Sequence, residues 1–313
     1  MTIASYISRS EFQELNRPND WKASIDLLMR VFVSVGLLAA LILNFHAHPV
    51  FSLFIAYLYA VQLSFWGYAG LGHEAFHKKV FSQKKPNTWL FVFCSAITWS
   101  NGAFFEKSHL HHHRNTFAQD DSEAHSEQSW SFMNLIAYAS IDFRLMKRRI
   151  FYAALNATGY LPNFKRVQDK GIVSGARSIL VINALLLLLI YALSGSVLIT
   201  AIVFVSPFTG TLLNKILAKS QHHNLAALKS SGPLAHSRTL MLPRFLSFLY
   251  ANMNYHAEHH LAPSIPYYNL PRLHGILHER GYVTSCSLYD FIVDWMAKAE
   301  TVKPALLSGK RKG

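Results

Sequence analysis

The chain has 313 residues, of which 51% are apolar, 13% aromatic and only 15% charged, and its formal net charge is +13. About a quarter of a soluble protein is charged, so this balance points to a membrane. With only two cysteines, Cys94 and Cys286, a disulfide framework, a thiolate zinc site and a built-in iron–sulfur centre are excluded.

The N-terminal stretch MTIASYISRSEFQELNRPND is polar and does not read as a secretory signal. Two long stretches, 31–77 and 178–214, then contain no Lys or Arg, and all 30 basic residues lie outside them. The first divides at Asn44, His46, His48 and Pro49 into spans near 28–45 and 50–71. The second divides at Ser194, Gly195 and Ser196 into spans near 178–194 and 197–214. Each piece approaches the ~20 residues that a helix needs to cross hydrocarbon. The expected fold is a single domain over 1–313, an all-α integral membrane protein with four transmembrane helices as two hairpins.

The positive-inside rule sets the orientation. Both hairpin loops lack basic residues and lie outside, whereas 1–27, 72–177 and 215–313 are cytoplasmic, both termini included. The +13 charge thereby reflects topology and attraction to anionic lipid, and no motif for nucleic acid appears. The apolar piece 88–99 is too short to span comfortably and reads as a buried or re-entrant helix on the cytoplasmic side. The aromatic and basic piece 130–152 reads as a helix lying in the interface.

Seventeen histidines are a large excess, and their spacing carries chemistry. HEAFH holds His73 and His77, which by itself is the H-E-x-x-H zinc-protease signature with Glu74 as general base. KSHLHHHRNT holds His109, His112 and His113, and NYHAEHHLAP holds His256, His259 and His260, each as H-x-x-H-H. Residues at i, i+3 and i+4 share one helix face. Each H-x-x-H-H therefore turns two histidines to one metal and the third toward a neighbour. Eight such histidines exceed what one ion can hold and suit two metals side by side, with all-imidazole ligation suiting iron or zinc. Asp120, Asp121, Glu106, Glu258 and Asn254 are nearby residues able to orient the imidazoles. His111 and His125 are spare histidines near the second group, His274 and His278 have surface or packing roles, and His46 and His48 lie on the wrong side of the bilayer.

Taken together, the spans and boxes resemble the membrane fatty acid desaturase and hydroxylase superfamily over about residues 30 to 275. The boxes stand in that family's order, and HHLAPSIPYYNLPRLH is similar to its H-H-x-x-P-x-x-P-x-x-x-L-P run. The resemblance implies a helical cytoplasmic cap carrying three histidine boxes, two Fe ions and O2 as co-substrate. It adds one ligand within SQHHNLAALKSSGPLAHSRTL, where His222 fits best and His223 is the fallback. His236 stands where the family often has asparagine, and Asn254 matches a recurrent asparagine; with Asp121 they are candidates to support the ligands.

The resemblance further implies oxidation of an unactivated C–H of an apolar chain, most directly by a fatty acyl (lipid-, CoA- or ACP-linked) desaturase. A hydroxylase or ketolase of alkanes, carotenoids or related molecules is the alternative, since HEAFHKK is similar to the first box of alkane hydroxylases. A membrane zinc metalloprotease would leave six box histidines without purpose, and a non-catalytic protein with a structural metal site is a third reading. No haem, flavin or iron–sulfur motif occurs in the chain, so a separate electron donor of ferredoxin or cytochrome b5 type is expected.

Overall fold

Asn19, Asp169 and Ser196 each stand just before an apolar run, and each side chain accepts a hydrogen bond from the first turn of a helix, from the N–H of Lys22, Gly171 and Ile199 respectively. The computed structural model describes residues 3–121, 123, 130–161, 165–225 and 232–297. These are mainly helical. In chain order come α1 (Arg9–Leu15), α2 (Asp20–Asn44), α3 (Pro49–Ser64), α4 (Leu71–Phe76), α5 (Lys84–Ile97) and α6 (Gly102–Arg114). Then follow α7 (Phe132–Ala139), α8 (Phe143–Ala157), α9 (Lys170–Ser194), α10 (Val197–Val205), α11 (Leu212–Ser220) and α12 (Pro233–His236). Strand β1 (Thr239–Met241), α13 (Arg244–Leu249), α14 (His256–Leu261), α15 (Leu270–Glu279) and strand β2 (Ser285–Ser287) follow, and the described chain is helical again over 288–297. The two strands pair in parallel, Leu240 opposite Cys286, a small departure from an all-helical chain.

Among the described residues, α2 and α9 are the two helices long and apolar enough to cross a membrane, at 25 residues each. Their outer faces stay apolar and exposed, with Leu28, Phe32 and Leu43 on α2 and Leu185, Leu188 and Leu193 on α9. α2 packs against α3, and α9 packs against α10, α8 and α5. Gly195 closes the second hairpin in the left-handed region, at φ 62, where a side chain would be strained.

The second member of each hairpin is shorter than its apolar run. α3 ends at Ser64, and the chain doubles back through 65–70 before α4. Leu71 N–H donates to Phe65 O, and Gly72 N–H donates to Trp66 O and Gly67 O. A Cβ on Gly70 would lie 2.1 Å from Phe65 O, so glycine is required for this approach. The G-Y-A-G-L-G run therefore packs the chain against itself. α10 likewise ends at Val205, passes Pro207 in a short 3-10 turn and Gly210 at φ 63, and restarts as α11. Both restarts lead straight into histidines of interest.

The piece expected at 88–99 is α5, whose 14 residues bury Leu90, Phe91, Cys94 and Ile97 and leave Trp89 exposed. The piece expected at 130–152 is two helices, α7 and α8, because Asp142 caps α8 through the N–H of Leu145. Phe132, Met133, Ile136 and Phe143 form an exposed apolar face across them.

Candidate metal centre

Nine histidines from four places converge. α4 carries His73 and ends at His77, α6 carries His109, His112 and His113, α14 carries His256, His259 and His260, and His222 follows α11. They form two groups: His73, His77, His109, His113 and His259 in one, and His112, His222, His256 and His260 in the other. Within each group one nitrogen per ring lies within 4.8 Å of all the others.

The two H-x-x-H-H boxes are used reciprocally. In α6 the i, i+4 pair His109 and His113 joins the five-histidine group, while His112 joins the four. In α14 the i, i+4 pair His256 and His260 joins the four, while His259 joins the five. A separation of four residues keeps two rings on one helix face, whereas His112 and His259, each adjacent in sequence to a member of the pair, are turned about 100° from it and reach the neighbouring group. Of the two candidates after α11, His222 enters the site, and His223 packs against Phe291 and Trp295 instead.

The outer nitrogens of five rings face acceptors. His73 Nδ1 is 3.1 Å from Tyr68 O, His109 Nδ1 is 2.8 Å from Glu123, and His222 Nδ1 is 3.0 Å from His236 O. His112 Nδ1 lies 3.0 and 3.1 Å from the two Asp121 oxygens, and His259 Nδ1 lies 3.2 Å from Glu74 Oε1. The hydrogen bonds fix the tautomer of His73, His109, His112 and His222 and leave each of their Nε2 atoms as a lone pair facing inward. The consequence is plainest between His112 and His222. Both have Nδ1 committed outward, and their Nε2 atoms are 3.1 Å apart. Two lone pairs at that distance repel, and neither atom has a hydrogen to share. A cation between them removes the repulsion, so the donor set fits a metal ion.

Protonation does not relieve it. Burial, the largest cause, lowers the pKa of His73 and His222 to about 3, and neighbouring imidazoles add to the effect. Burial also holds His77, His109, His113, His256, His259 and His260 well below the ordinary value. The rings are thus neutral, the form that ligates. Burial pushes the Glu74 and Glu123 carboxyls up. For Asp121 burial acts in the same direction but is outweighed by hydrogen bonds from His112 and from the N–H groups of Phe117 and Glu123, so its pKa is lowered.

Several candidate supports lie elsewhere. Asn254 does not touch a ligand histidine through its side chain: its Nδ2 donates to Leu240 O and ties the segment before α14 to β1. His236 acts through its backbone carbonyl, and its ring stands outside both groups, 5.9 Å from the His260 ring between centroids. Asp120 pairs with half-buried His111, and Glu258 bonds Thr239 and His274. His274 is buried. His125 lies outside the described residues. Glu123, Tyr68 O and His236 O escape sequence reading. Two are backbone carbonyls, which any residue has, and Glu123 reaches His109 from 14 residues away.

A cavity of about 850 Å³ opens from both groups. His73, His109, His112, His222 and His256 border it, as do Trp99, Phe104, Phe105 and Ile179. Among the described residues its remaining border carries four cations, Arg148, Arg149, Lys215 and Lys219, against one carboxylate, Glu123. Glu123 is engaged with His109 and Ser108, and Lys215 with Asp142.

Histidine groups of this kind on a helical scaffold with apolar outer faces define a class, and comparison with known families identifies it. The family model for fatty acid desaturase matches residues 43–289, and the chain belongs to that family. Comparison with curated proteins found no match. The desaturase domain and the two histidine groups fit a di-iron oxidoreductase of a membrane-associated family.

Proposed function

We propose that the protein is a membrane-bound, O2-dependent di-iron enzyme that desaturates a fatty acyl chain. The observation that carries this reading is the reciprocal use of the two H-x-x-H-H boxes, which sets two neutral histidine groups side by side at one cavity. His73, His77, His109, His113 and His259 hold one iron, and His112, His222, His256 and His260 hold the other. The iron pair, reduced by a donor of ferredoxin or cytochrome b5 type, supplies activation of O2 and removal of hydrogen from an unactivated C–H.

The chain's own residues do the rest. Asp121, Glu123 and Glu74 orient His112, His109 and His259. Trp99, Phe104 and Phe105 offer the apolar wall along which an acyl chain lies with water excluded. The Arg149 guanidinium donates to Thr98 O and borders the cavity beside Arg148, which favours a substrate with an anionic head over a neutral alkane or carotenoid. Glu74 is a poor fit to a protease base, because it is buried against His259.

Four crossings in two hairpins, with α3 and α10, each short of a full span, returning the chain beside α2 and α9 and continuing through the restarts α4 and α11, put the histidines on the basic side of the bilayer, facing the cytoplasm. The exposed apolar faces of α2 and α9 and the absence of Lys and Arg from 31–77 and 178–214 support this topology. Purified enzyme supplied with iron, a reducing system and acyl substrates should yield an alkene. Hydroxylated product alone would assign the chain to the hydroxylases instead.

A further inference from the structure

α14 is a single short helix of six residues, yet it serves both histidine groups. A helix of that length has no stability of its own, so its rotation is set by what holds it. Glu258 sits one residue from His259 and two from His256 and His260, and it is fully buried at 0% exposure. Each of its carboxylate oxygens has one partner from a different element. Oε2 accepts from Thr239 Oγ1 of β1 at 2.6 Å, and Oε1 lies 2.6 Å from His274 Nδ1 of α15.

The β1 side of this clamp has other support. Leu240 N–H donates to Asn254 O, and Asn254 Nδ2 returns a bond to Leu240 O. The α15 side otherwise rests on apolar packing, with Leu270, Leu273 and Leu277 in the same core as Ala257 and Leu261. Apolar packing alone tolerates sliding and rotation, and it has no use for a buried carboxylate. A carboxylate in that position is costly unless hydrogen-bonded, and its two fixed partners select one orientation. His274 itself is buried, with its ring against Tyr255 and His278.

We propose that His274 is a positioning residue for the metal centre: through Glu258 it fixes the rotation of α14 and with it the aim of three ligands in both groups. This rests on the reading of the two groups as metal ligands. The full-length chain, stripped of metal and titrated with Co2+ in the absence of air, reports affinity and ligand-field spectrum independently of turnover. His274→Ala should weaken binding on the order of tenfold and alter the spectrum of both equivalents, as loss of an outer support does. His274→Gln, whose amide can donate to Glu258, should restore both. Adding His274→Ala to Glu258→Leu should cost nothing further, because the two residues act as one unit. Wild-type affinity and spectrum in His274→Ala would overturn the proposal, as would a loss that His274→Gln fails to repair. Failure of the unsubstituted chain to bind metal would sink the reading of the groups themselves, a separate result.

Discussion

His222 and His223 are adjacent in the chain, alike in chemistry and both at the cavity border, yet only His222 joins a histidine group. His222 Nδ1 is held by His236 O, and its Nε2 stands 3.1 Å from that of His112 and 3.0 Å from that of His256. His223 has its ring against Phe291 and Trp295. His222→Ala removes one of four ligands in its group, so metal content should fall from about two equivalents per chain to about one, with turnover lost. His223→Ala should keep both metals. Elemental analysis of the two purified variants checks this, and equal metal loss in both would refute the assignment. The eight box histidines were legible because i, i+3 and i+4 spacing states their geometry outright. His222 needed the family resemblance, since no spacing rule links it to a partner 110 residues away. The match of Asn254 to a recurrent asparagine says nothing of where its side chain bonds, and its Nδ2 donates to Leu240 O.

At the scale of elements, the two short restarts α4 and α11 deliver His73, His77 and His222. Hydropathy reads through them, because neither 65–70 (FWGYAG) nor 209–211 (TGT) contains a charged residue to mark the interruption. The signal for the first break was glycine. Gly70 and Gly72 let the chain fold back on Phe65 and Trp66, and a methyl on Gly70 would strike Phe65 O at 2.1 Å. Relief would require shifting the turn that aims His73. Gly70→Ala should therefore reduce activity by at least ~100-fold, since misplacement of reacting groups by about 1 Å has that effect. Gly36, with open space around it, should accept alanine without loss. Comparable activity in the two variants, assayed at equal membrane expression, would contradict this role for the turn. The second break follows from Pro207, which ends α10 through its missing N–H.

For the whole molecule, eight histidines whose burial holds them neutral make the metal-free protein sensitive to acid. His73 and His222 have folded pKa values of about 3 against an ordinary 6.5. When the folded value is the lower, the unfolded chain binds the extra protons. Stability is therefore complete above about 6.5 and is lost progressively as pH falls from there toward 3. The thermal midpoint of metal-free protein should drop by at least ~5 °C between pH 7.5 and 5, and a flat profile would contradict the burial of neutral rings. Bound metal should shift the loss to lower pH, because metal and protons compete for the same nitrogens. All of these effects depend on one claim, that the two groups hold an iron each. Metal analysis of the full-length protein, purified from membranes of cells grown with iron and zinc, tests it most directly. The account predicts about two irons per chain; one zinc and no iron would contradict it.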